Sequence, residues 1–399
     1  MHRRTLLLAG AAATVGVGFS GRLFASPVDD TRFLLVFLRG GYDAASLLVP
    51  VSSSFYYSVR PNIAIARPSD TAPSALPLSA DWGLHPALKD SVFALAQRGQ
   101  ASFIPFAGTH DASRSHFETQ DSIELGQALE GRRDFGSGFM NRLATELGTR
   151  DSISFTEQLP LTFRGATSVA NISVKSVGKS AIDPKMRTLL SSMYRDHALG
   201  AQVEEGFEVR DEVAHEMSEM SGEMEAANRN AVSTKGFEGE ARRIAKLMRD
   251  RYPIGFIDVG GWDTHVGQGA ATGYLATRLD ELGHGLAAFA EEMGETAWRR
   301  TVVVVVSEFG RTLRENGNRG TDHGHGSVYW VLGGGLAAPA VSGEQVPVEA
   351  RTLFQNRDYP VLNEYRAVLG GVFRRVYGLQ ADRLQKVFPS VQPKDLALV

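Results

Sequence analysis

Five short polar clusters hold most of the residues in this sequence that could do chemistry. They are Arg39-Gly-Gly-Tyr-Asp43, the stretch from Gly108 to Asp121, Gly260-Gly-Trp-Asp-Thr-His265, Ser307-Glu-Phe-Gly-Arg-Thr312 and Gly320-Thr-Asp-His-Gly-His325. Half of the ten histidines fall in them: His110, His116, His265, His323 and His325. Imidazole and carboxylate together suit borderline-to-hard divalent cations such as Zn²⁺ or Mn²⁺. Asp263 and His265 stand two residues apart, a separation that points both side chains the same way on an extended turn. Asp322, His323 and His325 add further ligands, and Glu308 is either a ligand or base or a charge at a helix terminus. Ser113 and Ser115 flank Arg114 just ahead of His116. A metal or a base could activate either hydroxyl as a nucleophile, with Arg114 or Arg311 stabilising an anionic group. The competing role for such loop serines is to bond the backbone. Spacing alone names no reaction.

The elements that would position these clusters alternate between strand and helix. Phe33 to Leu38 is a continuous apolar run, as expected for a strand covered on both faces. Pro86 to Arg98 has helical spacing, Gly99 ends it, and Ala101 to Phe106 returns to strand, which together predict one β-α-β unit. Pro253 to Val259 reads as a strand. From Tyr274 to Met293 apolar residues recur every three or four positions, an amphipathic helix. Thr301 to Val306 and Ser327 to Leu332 are further strands, and Asn363 to Tyr377 is a closing helix with Asn363 as its cap and Gly378 as its stop. Four of the polar clusters directly follow a predicted strand, and the fifth precedes one. Ligands of open α/β sheets gather at the carboxyl ends of strands. The pattern predicts an α/β fold, a doubly wound and mostly parallel sheet flanked by helices. A Glu- and Met-rich helical insertion at about 180–250 carries an apolar seam of Val213, Met217, Met220, Met224 and Ala227, most simply read as core packing. The expected organisation is a single domain over 30–399.

Composition narrows the classes. The chain has 42 basic and 45 acidic residues, a formal charge of −3, and no basic stripe, so it lacks the electrostatic footprint of nucleic-acid binding. Cysteine is absent, which removes disulfides, zinc-thiolate sites and thiol catalysis. The glycine pairs and the Gly333-Gly334-Gly335 run match no phosphate-loop or dinucleotide fingerprint. Residues 1–26 read as an export signal: Arg3-Arg4, then a mildly apolar Ala- and Gly-rich stretch short for a bilayer span. The paired arginines suggest the twin-arginine route, hence a periplasmic or secreted protein.

The twin-arginine start, Leu38-Arg-Gly-Gly-Tyr-Asp43, Arg114-Ser-His-Phe with Gln120-Asp121, Gly260-Gly-Trp-Asp-Thr-His265, Ser307-Glu-Phe-Gly-Arg-Thr312, Thr321-Asp-His-Gly and Tyr365-Arg-Ala-Val-Leu resemble the bacterial exported domain-of-unknown-function family fifteen-oh-one. More distantly the chain is similar to the alkaline phosphatase-like superfamily, which includes sulfatases and cofactor-independent phosphomutases. That likeness implies divalent metal (Zn, Mn, Mg or Ca), a small anionic phosphate or sulfate ester as substrate, and metal ligands among Asp43, Asp263, His265, Glu308, Asp322, His323 and His325. It implies a catalytic group drawn from Ser113, Ser115, His116, Arg114 and Arg311. Two positions depart from the superfamily pattern: Arg39 stands where a strand-end Asp is expected, and Glu308-Phe309-Gly310 where Asp-His-Gly is expected. A single metal, or an anion pocket on Arg39, Arg114 and Arg311, are the resulting alternatives. The reading is a metal-dependent phosphatase- or sulfatase-like hydrolase; the alternative is a non-catalytic anion- or partner-binding protein on the same fold. The resemblance also implies export by the twin-arginine translocase and a companion exported protein of the eighteen-hundred unknown-function family.

Overall fold

The computed structural model describes residues 31–70, 73–130, 132–149, 151–173, 184–195, 199, 200, 203 and 236–399. The expected signal at 1–26 and the Met seam of 213–227 lie outside the described residues. Of the expected insertion, helices Pro184–Tyr194 and Phe237–Asp250 are described.

Among the described residues eleven strands form two sheets. They are β1 (Arg32–Leu38), β2 (Leu48–Pro50), β3 (Leu76–Pro77), β4 (Trp82–Leu84), β5 (Ala101–Gly108), β6 (Ser152–Ser154), β7 (Ala170–Asn171), β8 (Ile254–Val259), β9 (Thr301–Ser307), β10 (Ser327–Leu332) and β11 (Asn363–Glu364). The large sheet has the order β11-β5-β10-β9-β1-β8-β6-β7, and the small one β2-β4-β3. Of these strands of the large sheet, β10 alone runs against its neighbours β5 and β9; every other pairing is parallel.

The apolar runs explain why this sheet sits at the centre. Leu34, Val36, Leu38, Val303 and Val305 pack on one face with helices Phe237–Asp250 and Tyr274–Trp298. Phe33, Leu35, Phe37, Val302, Val304 and Val306 pack on the other with helices Phe139–Leu147 and Tyr365–Tyr377. Alternate residues of one strand thus feed two cores, which only a sheet covered on both faces permits. Each fully covered Val, Leu or Phe contributes about 1.5–3 kcal/mol, so the strand ends are held rigidly.

That rigidity fixes the polar clusters at one rim. Leu38 is in register with Val259 on one side and Ser307 on the other, so Arg39, Gly260 and Glu308 leave the sheet side by side. Because β10 is reversed, its first residue, Ser327, pairs with Ala107 near the end of β5. The cluster that precedes a strand therefore joins those that follow one.

Three local expectations change. β1 and β5 are parallel but not neighbours, since β9 and β10 lie between them. The expected helix from Pro86 to Arg98 is a 3₁₀ turn, Pro86–Leu88, and a helix, Val92–Gln97, separated where Ser91 leaves helical geometry and its hydroxyl bonds Leu88 O. The closing helix starts at Tyr365 with Glu364 as its cap, accepting from Ala367 N at 3.0 Å. Asn363 is fully buried; its Oδ1 accepts from Glu344 N at 2.9 Å while its amide nitrogen donates to Pro105 O and Glu344 O, so its oxygen is engaged away from the helix.

Candidate metal centre

Glu308, the first residue beyond β9, is fully buried. Its Oε1 accepts from Gly40 N at 2.8 Å, from Gln120 Nε2 at 2.8 Å and from His116 Nδ1 at 2.7 Å, and its Oε2 accepts from Ser307 Oγ at 2.9 Å. Desolvation opposes its ionisation, but these donors outweigh it and hold the carboxyl below its usual range. Gly40 is needed for this approach: its φ is +125°, and a Cβ there would lie 2.7 Å from Asp263 N.

His116 opens helix His116–Leu125, capped by Ser115, whose hydroxyl accepts from Glu118 N. Its ring lies 4.9 Å from that of Phe309, which is also 5.0 Å from the ring of His323. Phe309 is buried and forms an apolar support under both imidazoles.

The nitrogens on the other side of the rings converge. His323 Nε2 stands 3.0 Å from His116 Nε2, 3.1 Å from His265 Nε2 and 3.3 Å from Asp263 Oδ1. Asp263 Oδ1 lies 3.0 Å from His265 Nε2, and Oδ2 3.5 Å from His116 Nε2. The second nitrogen of each ring is engaged: His116 Nδ1 on Glu308, His265 Nδ1 on Asp322 Oδ1 at 3.3 Å and His323 Nδ1 on the carbonyl of Arg114 at 3.1 Å. Carboxylates and carbonyls only accept, so all three Nδ1 atoms are donors. In the neutral rings every Nε2 is then a bare lone pair, and three lone pairs and a carboxylate face one another.

Such a group of acceptors suits a cation among them. One shared proton bridges a single pair of atoms, whereas here one nitrogen is close to three other acceptors. Ligands about 2.0–2.1 Å from a tetrahedral ion stand about 3.3 Å apart, and the separations above fall around that figure. The ligand atoms of His116, Asp263 and His323 all lie within 4.8 Å of one another. Outward Nδ1–H donation to a carboxylate or carbonyl is the pattern that orients metal-binding histidines. The residues therefore fit a divalent metal: His116, Asp263 and His323 form the mutually close group, and His265 stands at its edge, near His323 and Asp263 but outside that group.

Arg311 closes one side. Its side chain is fully buried; Nε donates to Gly41 O, Nη1 to Thr321 O at 3.1 Å and Nη2 to Gly40 O at 3.3 Å and to Asp263 Oδ1. Nη1 also lies 3.4 Å from His265 Nε2. Desolvation depresses the Arg311 pKa, opposed by the charge of Asp263. Asp263 loses solvation too, but Arg311 prevails and keeps its carboxyl below the usual range. The hydrogen bond His116 donates to Glu308 raises its pKa, and burial lowers that of His323.

The remaining candidate residues have different partners. Asp43 is buried and bound by Arg60 Nη1 at 2.6 Å and Nη2 at 2.9 Å, Ser46 Oγ at 2.7 Å and Gln268 Nε2 at 2.7 Å. His325 is buried against Phe354, ring centroids 4.5 Å apart, and desolvation brings it down to about 4. Asp322 stands behind His265 rather than beside His323 Nε2. Ser113 Oγ meets Thr119 Oγ1 at 3.3 Å, while Ser115 caps its helix. Arg114 binds Asp358 and Gln355; Arg39 binds Asp258, Gln120 and Glu124, so the three arginines do not share one pocket. Residue type and spacing do not mark Gln120, which ties Glu308 to Arg39, nor Arg60 and Gln268. Ser115-His-Phe-Glu118 has the Ser-x-x-Glu spacing of a helix start and could have shown that His116 and Gln120 share one helix.

A family model described as "Protein of unknown function (DUF1501)" matches residues 30–388. The chain belongs to the DUF1501 family. A search of curated proteins returns no match for this DUF1501 chain. Among solved structures it is similar to Ps i-CgsB in complex with k-i-k-neocarrahexaose, at 10% identity and a TM-score of 0.37, over 89% of this chain and 74% of that one. It is also similar to a protein in the alkaline phosphatase superfamily from Vibrio parahaemolyticus, at 11% identity and a TM-score of 0.32, over 80% of this chain and 66% of that one.

Proposed function

We propose that this DUF1501 chain is a metal-dependent hydrolase of small phosphate or sulfate esters, working from one divalent cation held by His116, His265, His323 and Asp263. The observation that carries the reading is the set of three Nε2 lone pairs turned on one carboxylate while every Nδ1 donates away from it. A divalent ion in that position would polarise an ester oxygen and lower the pKa of an attacking hydroxyl or water. Glu308 keeps the His116 ring in register, Asp322 does the same for His265, and Arg311 offers a fixed positive charge to an anionic group. Ser113 and Ser115 would have to leave their present bonds to attack, whereas water needs no such change; water is the attacking group of this proposal.

The engaged serines also favour a second reading, a non-catalytic anion-binding protein on the same centre. Elemental analysis of the purified chain, with a screen of aryl phosphates and aryl sulfates in added Zn²⁺, Mn²⁺, Mg²⁺ or Ca²⁺, separates the two. Turnover that disappears in both His265→Ala and Asp263→Asn, with folding intact, supports the hydrolase. Bound metal and bound anion without turnover support the binding protein, and a chain that takes up no metal contradicts both. Export by the twin-arginine translocase to the periplasm or the medium belongs to the same proposal, supported by Arg3-Arg4 and the stretch after it. So does the companion of the eighteen-hundred family, supported by the family resemblance alone.

A further inference from the structure

Of the three imidazoles at the centre, His323 is the one whose outward Nδ1 donates to a backbone carbonyl rather than to a carboxylate. That carbonyl belongs to Arg114 and lies 3.1 Å away. Arg114 presents it from a left-handed backbone, φ +55°, which costs free energy for any residue with a Cβ. A conformation of that kind persists only where the surroundings hold it.

The guanidinium of the same residue supplies the hold. Its Nε donates to Asp358 Oδ2 at 3.0 Å, and its Nη2 to Asp358 Oδ2 at 2.7 Å and to Gln355 Oε1 at 2.7 Å. Asp358 is fully buried and follows a tight turn, Gln355-Asn356, closed by Arg357 N donating to Phe354 O at 3.1 Å. Both turn residues also have positive φ, +54° and +53°. Three of the seven non-glycine residues with positive φ among the described residues thus meet around one ion pair, far more than chance placement would bring together.

The same carboxylate oxygen reaches His323 by a second route. Asp358 Oδ2 accepts from Arg357 Nη1 at 3.2 Å, and Arg357 Nη2 donates to the carbonyl of His323 at 2.9 Å. One atom therefore orders both the acceptor of the His323 ring and the His323 backbone. The other oxygen, Oδ1, is buried and has no hydrogen-bond partner among the described residues, a poor arrangement for stability alone. We propose, on the metal-centre reading above, that Arg114 and Asp358 are positioning residues: their ion pair holds the Arg114 carbonyl on His323 Nδ1, and so fixes the ring with Nε2 as a lone pair turned on the cation. Arg114 is then spent on geometry and not on contact with an anion.

The tautomer can be read in the metal-free full chain by long-range ¹H–¹⁵N correlation of the imidazoles at pH ~8, well above the ordinary histidine value. The His323 signals are assigned by their loss in His323→Gln. In the wild type the ring should carry its proton on Nδ1; in Arg114→Ala and in Asp358→Asn the proton should divide between the two nitrogens. Zn²⁺ affinity by chelator competition should fall about 10- to 100-fold in each single variant. The double variant should lose no more than the worse single one, since both break the same pair. If Asp358→Asn does not fold, Gln355→Ala, at an exposed position, loosens the same guanidinium and should move tautomer and affinity in the same direction. An ion pair that only stabilised the fold would change the unfolding curve and leave the tautomer alone. A wild-type ring protonated on Nε2, an Nδ1–H ring untouched by Arg114→Ala, unchanged Zn²⁺ affinity or additive losses in the double variant would each overturn the proposal with the metal reading intact. A wild type that shows the Nδ1–H ring and takes up no Zn²⁺ overturns the metal reading, and the purpose of the clamp falls with it.

Discussion

Two acid–arginine pairs lie among the loops at the same rim of the sheet, and they are built in opposite ways. Asp43 and Arg60 form a closed pair: both are fully buried, the guanidinium binds both carboxylate oxygens, and Ser46 and Gln268 supply the remaining donors. Arg60 also reaches the carbonyls of Thr312 and Leu313, and Gln268 Oε1 accepts from Thr264 and Thr321. This network ties together the backbones that carry Asp263, His265 and His323. Asp263 and Arg311 form an open pair, in which the carboxylate is 45% exposed and faces three imidazole lone pairs. The closed pair has a donor for every acceptor and the open one has an excess of acceptors. A buried ion pair with all partners present is a structural part, whereas an excess of acceptors turned inward is an arrangement that suits a cation.

Breaking the closed pair should cost the most. Arg60→Leu leaves the Asp43 carboxylate buried without its partner, and denaturant unfolding should show a loss of about 3–5 kcal/mol. A change under about 1 kcal/mol would mean that the pair does not organise the rim.

The next effect belongs to the open pair's support. Glu308→Gln keeps the shape but weakens the hold on His116 Nδ1–H, and metal affinity measured by chelator competition should fall about 10- to 100-fold. Unchanged affinity would remove His116 from the ligand set.

Acid separates the two sites more gently. Desolvation would raise the Asp43 pKa, but the Arg60 charge and the bonds from Arg60, Gln268 and Ser46 leave it below its ordinary value. Its stabilisation is therefore complete above the unfolded-state value of about 3.9 and is lost as pH falls through the folded value. Asp43→Asn removes that dependence, so the stability gap between wild type and variant should narrow below pH ~4, read from unfolding curves at successive pH values. A gap that stays constant there would contradict the ionised pair.

The smallest effect should come from His265→Ala in the absence of metal. The side chain is 40% exposed and its bonds to Asp322 and Arg311 are long, at 3.3 and 3.4 Å, so unfolding in chelator should shift by no more than about 0.5 kcal/mol. A loss as large as that of Arg60→Leu would make His265 a structural residue.

The comparison also marks what the sequence could disclose. The Phe33 to Leu38 and Val302 to Val306 runs announce a sheet buried on both faces, and a polar cluster after each strand announces its rim. The two-residue step from Asp263 to His265 brings both to one point, since their ligand atoms are 3.0 Å apart. The same step from His323 to His325 does not, because Phe354, far along the chain, covers His325. Asp43 looks like a ligand in sequence because nothing local shows that Arg60 will be buried against it. Pairing decides both cases, and pairing depends on strand order. The reversed β10 is the feature that carries Thr321 to His325 back to the rim, and hydrophobic pattern holds no information on strand direction.

The central claim is that three imidazoles from separate loops hold one cation with Asp263, and X-ray absorption at the metal edge of the Zn²⁺-loaded chain tests it most directly. The account predicts one ion per chain in a shell of nitrogen and oxygen at about 2.0–2.2 Å, with the multiple scattering of three imidazoles that drops to two in His265→Ala. A shell of oxygen alone, or one that His265→Ala leaves unchanged, would contradict it.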